Sequence, residues 1–321
     1  MLYTILGALL PMVVTFVLGF IASWHHDLGR NDASILNRMV LLYAVPLALF
    51  AGTVATSRAA LSQDIPLVIA LCFAIIGLYG VVFLFSRIIL RFPTGISALH
   101  ALTASAPAVP FVGPAVLGDL FGGLSAIPIA IASLVINLTV VPVTILLLAL
   151  DTAARDPQGA SLAAQDKEYL ASPAAKLAET VKQPLVWAPV LAFVVVLSGL
   201  HIPQLIIHSL SLLGGASAGV ALFASGIVLA SGKIRANSHV LFLVFLKNIL
   251  QPALVLGGLR WVGYGKTIVS EAVLTTAIPT MPIVIMLALQ YRVEQEDAAS
   301  AVFLSVIGSI VTMGVFIALT S

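Results

Sequence analysis

Two stretches of this sequence place backbone polar groups where only apolar ones are expected. In ALTASAPAVPFV, residues 101–112, Pro107 and Pro110 stand three apart in an uncharged run, and in VLTTAIPTMPIV, residues 273–284, Pro279 and Pro282 repeat the pattern 172 residues later. Leu102, Thr103 and Val112 recur as Leu274, Thr275 and Val284. Proline has no amide hydrogen and clashes with the carbonyl four residues back, so each pair frees several main-chain groups within one turn. At membrane depth such backbone is tolerated only when it is buried in protein or lines a watery cavity. A helix that restarts after the break presents amides at a positive N-terminus, which favours an anion. Thr103, Ser105, Thr275, Thr276 and Thr280 add hydroxyls at the same level. The chemistry implied is reversible binding of an anion rather than bond making. Pro11, Pro46, Pro142, Pro189 and Pro252 are single prolines in apolar runs and read as kinks.

Ionisable and amide side chains inside apolar runs are costly and usually functional. Lys247, in FLVFLKNILQP, is one. Three readings stand for it: a partner for a substrate carboxylate, a built-in cation supporting the second break, or a lysine snorkelling to the inner face. Glu271 and His100 enter the two broken runs at nearly equivalent positions; each is either a proton carrier or a solvated boundary group. Asn137, in SLVINLTVVP, either hydrogen-bonds backbone freed at the first break or serves helix packing.

The elements that hold these groups follow from composition. The chain has 321 residues, 60% hydrophobic and 9% charged, with a mean hydropathy of +1.14, too little polar surface for a water-soluble domain of this size. We expect an all-α integral membrane protein. About 20 apolar residues cross a bilayer, and ten segments qualify, near 2–23, 35–56, 65–90, 96–117, 125–150, 184–200, 207–231, 239–260, 267–290 and 297–319. The first has no Lys or Arg before Arg30 and is longer than the core of a signal peptide, so it reads as a retained span. Residues 151–183 form the one long polar connection, with a short surface helix expected around Lys167 to Lys182. This linker separates a five-span half, 1–150, from a second, 184–321.

Five is odd, so a repeat relating the halves must be inverted across the membrane. ALFAG at 48–52 and ALFAS at 221–225, offset by 173, accompany the proline pairs in corresponding spans, the pattern of an inverted-repeat transporter with broken helices 4 and 9. Basic residues set the orientation. With the N-terminus outside, Arg30, Arg38, Arg87, Arg91, Arg155, Lys167, Lys176, Lys182, Lys233, Arg235 and Arg292 fall inside, against Arg58, Arg260 and Lys266 outside. Both termini are thus expected outside, in the inner or plasma membrane. The small-residue run GGASAGVALFASG, 214–226, permits close helix packing within the chain or a homodimer seam on spans two and seven.

Several classes are excluded. A net charge of +2 is too small and scattered for a nucleic-acid surface, and Cys72, the only cysteine, can form neither an internal disulfide nor a cysteine metal cluster. No HExxH, GxSxG, paired-aspartate or phosphate-cradling glycine motif occurs, so neither an enzyme nor an ATP-driven pump is expected, and no cofactor.

ASAPAVPFVGPAVLG, 104–118, and IPTMPIVIMLALQY, 278–291, resemble the two crossover regions of the auxin efflux carrier family, and the similarity of layout runs over essentially the whole chain. The resemblance implies ten spans in inverted five-span repeats, a crossed pair of broken helices between a scaffold and a mobile part, and a small organic anion as cargo. Many members carry an asparagine after the first crossover proline, where this chain has Ala108 and then Pro110. The proline-rich SAPAVPFVGP is closer to the bacterial branch resembling malonate carriers, so malonate or a related dicarboxylate is the expected substrate. Two other readings are a sodium-coupled symporter of the bile acid transporter type, for which the chain has few intramembrane carboxylates, and an anion channel.

Overall fold

The computed structural model describes residues 2–54, 64–155, 184–200, 202–232 and 234–321. Arg58, Lys167, Lys176, Lys182, Lys233 and the surface helix expected near 167–182 lie outside them. The described chain is helical throughout: α1 Leu2–Trp24, α2 Arg30–Val54, α3 Ile65–Ile89, α4 Thr94–Ser105, α5 Val109–Phe121, α6 over 126–155, α7 Pro184–Ser198, α8 Gln204–Ser231, α9 Ser238–Val262, α10 Lys266–Ala277, α11 Ile283–Gln290 and α12 Gln295–Thr320. Seven helical stretches are long and apolar enough to cross a membrane; the one over Val109–Thr152 joins α5 to α6 through a 3₁₀ turn. Among the described residues there is no sheet, only an isolated antiparallel bridge between Pro107 and Thr280.

Local sequence explains where the helices stop. Pro93 and Pro203 stand immediately before α4 and α8, and the Asn237 side chain caps α9 by accepting from the Val240 amide at 2.8 Å. Gly263, at φ 85°, closes α9 with a left-handed turn that an L side chain would strain. The apolar run 94–121 is divided at Pro107 into α4 and α5, and the run 266–290 at Pro279 into α10 and α11.

Helix boundaries recur along the chain. α4 and α10 each have 12 residues and begin 172 positions apart, at 94 and 266. α3 and α9 begin at 65 and 238, and each contains a π turn, Phe73–Gly77 and Leu246–Leu250, also 173 apart. Packing follows the same correspondence: α1 lies on α8 as α7 lies on α2, and α4 sits between α3 and α6 as α10 sits between α9 and α12.

Glycines set the closest of these contacts. A Cβ on Gly19 of α1 would land on the Phe223 carbonyl of α8, and one on Gly226 of α8 on the Phe16 carbonyl and 2.6 Å from the Phe20 nitrogen of α1. Gly214 allows α8 equally near to α2, where a Cβ would meet the Ala48 nitrogen at 2.8 Å. Gly214 and Gly226 of the small-residue run therefore pack within the chain, while Gly215 and Ala216 of the same run are exposed.

At one end of the bundle Arg30 meets Glu296 at 2.7 Å, and Arg235 meets Glu296 at 2.9 Å and Asp297 at 3.4 Å. At the other end Arg260 donates to the Leu319 carbonyl at 2.6 Å.

Candidate functional site

The two proline breaks meet. Between α4 and α5 the chain is extended at Ala106 and crosses the 278–282 segment, where the Ala108 amide donates to the Pro279 carbonyl at 2.8 Å and the Met281 amide donates to the Ala106 carbonyl at 3.0 Å.

The carbonyls left without a helical partner can be followed one by one. Pro107 cannot donate to Thr103, and the Thr280 hydroxyl does so instead at 3.0 Å. Pro110 cannot donate to Ala106, whose partner is Met281 as above. The Ser105 carbonyl, at the last residue of α4, accepts from Gln251 Nε2 at 2.9 Å. The Thr276 carbonyl, at the end of α10, accepts from Lys247 Nζ at 2.6 Å, while the amide of Thr280, four residues on, donates to Ser305 Oγ at 2.9 Å. Lys247 and Gln251 are themselves joined, Nζ to Oε1 at 2.9 Å, and Gln251 Nε2 also reaches the Ala74 carbonyl at 3.0 Å. Ser305 is held by Asn248 through a reciprocal pair at 2.7 and 2.8 Å. Lys247 is fully buried and sits at the negative end of α10, where a cation is favoured by the helix dipole.

The hydroxyls are also engaged. Thr103, Ser105, Thr275 and Thr276 each donate to a carbonyl four residues back in their own helix, at 2.7, 2.7, 2.6 and 3.0 Å. In this conformation their oxygens face the crossing only as acceptors.

A cavity of about 50 Å³ lies beside the crossing. The first turns of α5 and α11 supply Pro110, Phe111, Pro282 and Ile283, α2 and α8 supply Ala48, Leu49, Ser217 and Ala218, and α6 supplies Ser133 and Asn137. Two of these groups are buried without a hydrogen-bond partner among the described residues: Asn137 Oδ1 and Ser217 Oγ. No charged side chain lines the cavity. Its electrostatics therefore come from two helix N-termini, one from each break, together with an amide oxygen, which accepts, and a hydroxyl, which can donate or accept.

The family profile described as membrane transport protein matches residues 4–317. The chain belongs to this family, the auxin efflux carrier family. Over 320 residues this carrier-family member is 29% identical to the uncharacterized transporter YfdV of Escherichia coli strain K12, an alignment covering 99% of the chain and 98% of the relative. The YfdV proteins of Escherichia coli O157:H7 and Shigella flexneri match at the same identity and coverage.

Of the residues singled out in the sequence of this family member, Thr103, Ser105, Pro107, Ala108, Thr275, Thr276, Pro279 and Thr280 are buried within the crossing itself, while Pro110, Pro282 and Asn137 line the cavity. Glu271, in α10, is 5% exposed and has no ion-pair partner among the described residues. His100 belongs to a different place: its Nε2 is 2.6 Å from Glu294 Oε2 and 2.9 Å from His239 Nε2. Sequence reasoning missed Ser217 and Gln251. Ser217 was visible only as one of the small residues in GGASAG; Gln251 follows Lys247 by one helical turn, which is the spacing at which their side chains meet.

Proposed function

We propose that the chain is a secondary transporter of the inner membrane that moves a small organic anion, malonate or a related short dicarboxylate, by alternating access. Ten spans are assigned, with α4–α5 and α10–α11 as the broken fourth and ninth, in two inverted halves, 1–150 and 184–321, joined by an inner linker at 151–183 and with both termini outside. The recurrence of helix boundaries and of packing pairs supports the repeat, and the gathering of Arg30 and Arg235 at the end opposite Arg260 supports the orientation.

The observation that carries the substrate class is the convergence of two half-helix N-termini on a cavity that also holds the Ser217 hydroxyl, unpartnered and free to donate, and the Asn137 amide, whose Oδ1 is unpartnered. About 50 Å³ accommodates about three or four waters, roughly the bulk of a three-carbon dicarboxylate, and is too small for a sterol-sized anion. Lys247 contributes its charge from behind, through the end of α10. Of the two titratable groups at the broken spans, Glu271 is the one we assign to proton coupling, because both ring nitrogens of His100 are already engaged, by Ser86 on one side and Glu294 and His239 on the other.

The test is uptake of radiolabelled malonate into proteoliposomes, with and without an inward proton gradient. Saturable uptake is expected, lowered at least tenfold by Asn137→Leu and several-fold by Ser217→Ala, each of which removes a buried hydrogen-bonding group. Absence of uptake, or of competition by any short carboxylate, would overturn the substrate class, and flux in single-channel steps would replace the carrier with a pore.

A further inference from the structure

At the end of the bundle that carries Arg30 and Arg235, four helices bring together His100 of α4, His239 of α9, Glu294 at the start of α12 and Ser86 of α3. The ligand-capable atoms of His100, His239 and Glu294 lie within 4.8 Å of one another. His100 Nε2 is at the centre, 2.6 Å from Glu294 Oε2 and 2.9 Å from His239 Nε2.

A ring nitrogen has one in-plane site, either a hydrogen or a lone pair. If His100 Nε2 carries the hydrogen and gives it to Glu294, His239 Nε2 has only that same hydrogen to share. If it is bare, its one lone pair must serve two neighbours, and Glu294 must be protonated to take part. One positive centre between the three atoms satisfies them together. We propose that His100, His239 and Glu294 bind a divalent transition-metal cation of the zinc class.

Three further features fit. Ser86 Oγ lies 2.9 Å from His100 Nδ1; in the tautomer with its hydrogen on Nδ1 the ring donates there and turns the Nε2 lone pair to the cluster, the outer-shell arrangement that orients metal-bound histidines. The Phe92 ring packs on both imidazoles, at 5.0 and 5.2 Å between centroids, holding their planes. Glu294 holds a left-handed conformation at φ 42°, a strained choice for this residue that aims its side chain from the head of α12. Two imidazoles and one carboxylate select zinc-like ions over magnesium or calcium, which want oxygen shells. Donors in a tetrahedral zinc shell stand about 3.3 Å apart, so the pairs at 2.6 and 2.9 Å need to part by about 0.7 and about 0.4 Å. Glu296 is taken by Arg30 and Arg235, and the fourth position falls to water.

His100 comes from the first half of the sequence and the other two ligands from the second. The ion would fasten α4 to α9 and α12, away from the cavity and independently of what the carrier transports.

The experiment uses the full chain purified in detergent without a polyhistidine tag, stripped with a chelator and titrated with Zn²⁺ by calorimetry, and with Co²⁺ by visible absorption. One Zn²⁺ per chain is expected, with a Co²⁺ spectrum of low-coordinate type and an unfolding midpoint raised by about 3 °C or more at saturation. His239→Gln and Glu294→Gln should each abolish the stoichiometric site while leaving the metal-free midpoint and the size-exclusion profile close to those of the parent, and Ser86→Ala should weaken it about tenfold. No binding by the parent chain, or equal binding by the His239→Gln/Glu294→Gln double variant, would overturn the proposal; the latter would locate the ion at surface histidines such as His25 and His26. A variant that loses its fold is replaced by Glu294→Asp, whose shortened reach must still lower affinity.

Discussion

Gln251 and Lys247 together close the ends of α4 and α10, and this arrangement makes an ordered set of stabilities. In Gln251→Leu the Ser105 and Ala74 carbonyls lose their donor, and the Lys247 ammonium loses one of its two acceptors, at 2.9, 3.0 and 2.9 Å respectively. Each buried group left unsatisfied costs about 1–3 kcal/mol, so the loss for the three is about 3–9 kcal/mol. Lys247→Met deprives only the Thr276 carbonyl and Gln251 Oε1, and it also removes a buried ammonium whose desolvation opposes folding. Its loss is the smaller, about 1–3 kcal/mol. The double variant should fall short of the sum, because the Lys247–Gln251 bond disappears in either single change and no ammonium is left stranded. The assay is thermal unfolding of the purified protein in detergent, read by intrinsic fluorescence, alongside malonate binding. If Lys247→Met left the midpoint unchanged and abolished binding alone, while Gln251→Leu was stability-neutral, the lysine would be a direct counter-charge for the substrate and the capping account would fail.

Gly226→Val should destabilise by about 3 kcal/mol or more, since its side chain meets α1 backbone rather than a movable side chain; retention of the parent midpoint in thermal unfolding would show that α1 and α8 can separate freely. Asn37→Ala removes the bond from Asn37 Nδ2 to the Met286 carbonyl at 3.1 Å, between α2 and α11. With about 1 kcal/mol lost from the conformation described, thiol labelling of a Ser217→Cys reporter in the cavity should accelerate about fivefold, and an unchanged rate would remove Asn37 as a latch.

The two interruptions were legible because proline creates a local debt of hydrogen bonds that any fold must settle, and the repeated pairs at 107/110 and 279/282 mark where the helices stop; that they cross came only from the family resemblance. Lys247 stood out as an ionisable group inside an apolar run, with three readings open, and its bond to the Thr276 carbonyl fits the built-in cation. What settles each carbonyl was not legible. Thr280 and Thr103 are 177 positions apart, Gln251 and Ser105 146, and no periodicity links such pairs. The same holds for the histidine cluster: His100 carried a signal as an ionisable group entering an apolar run, but His239 and Glu294, 139 and 194 positions away, look in sequence like ordinary residues at helix starts. Hydroxyl residues were visible by type, yet type does not say that four of them turn their hydrogens back onto their own helices.

The bonding pattern bears on which parts can move. Pulling the two breaks apart would strand the Ala106, Pro279 and Thr103 carbonyls in a low-dielectric interior, each at about 1–3 kcal/mol, while pulling either away from α9 would strand Ser105 or Thr276. The crossing, with α3, α6, α9 and α12 around it, therefore resists opening and is suited to travel as one body. Its polar ties to α1, α2, α7 and α8 include the Asn37 bond to Met286 and the exposed Arg30–Glu296 pair. The cavity with Asn137 on one wall and Ser217 on the other lies on that boundary. On the proposed function, a displacement along that boundary would separate Asn137 Oδ1 from Ser217 Oγ while leaving the bonds between the two breaks intact, so the seam the moving body would slide on is also the place where an anion would be held.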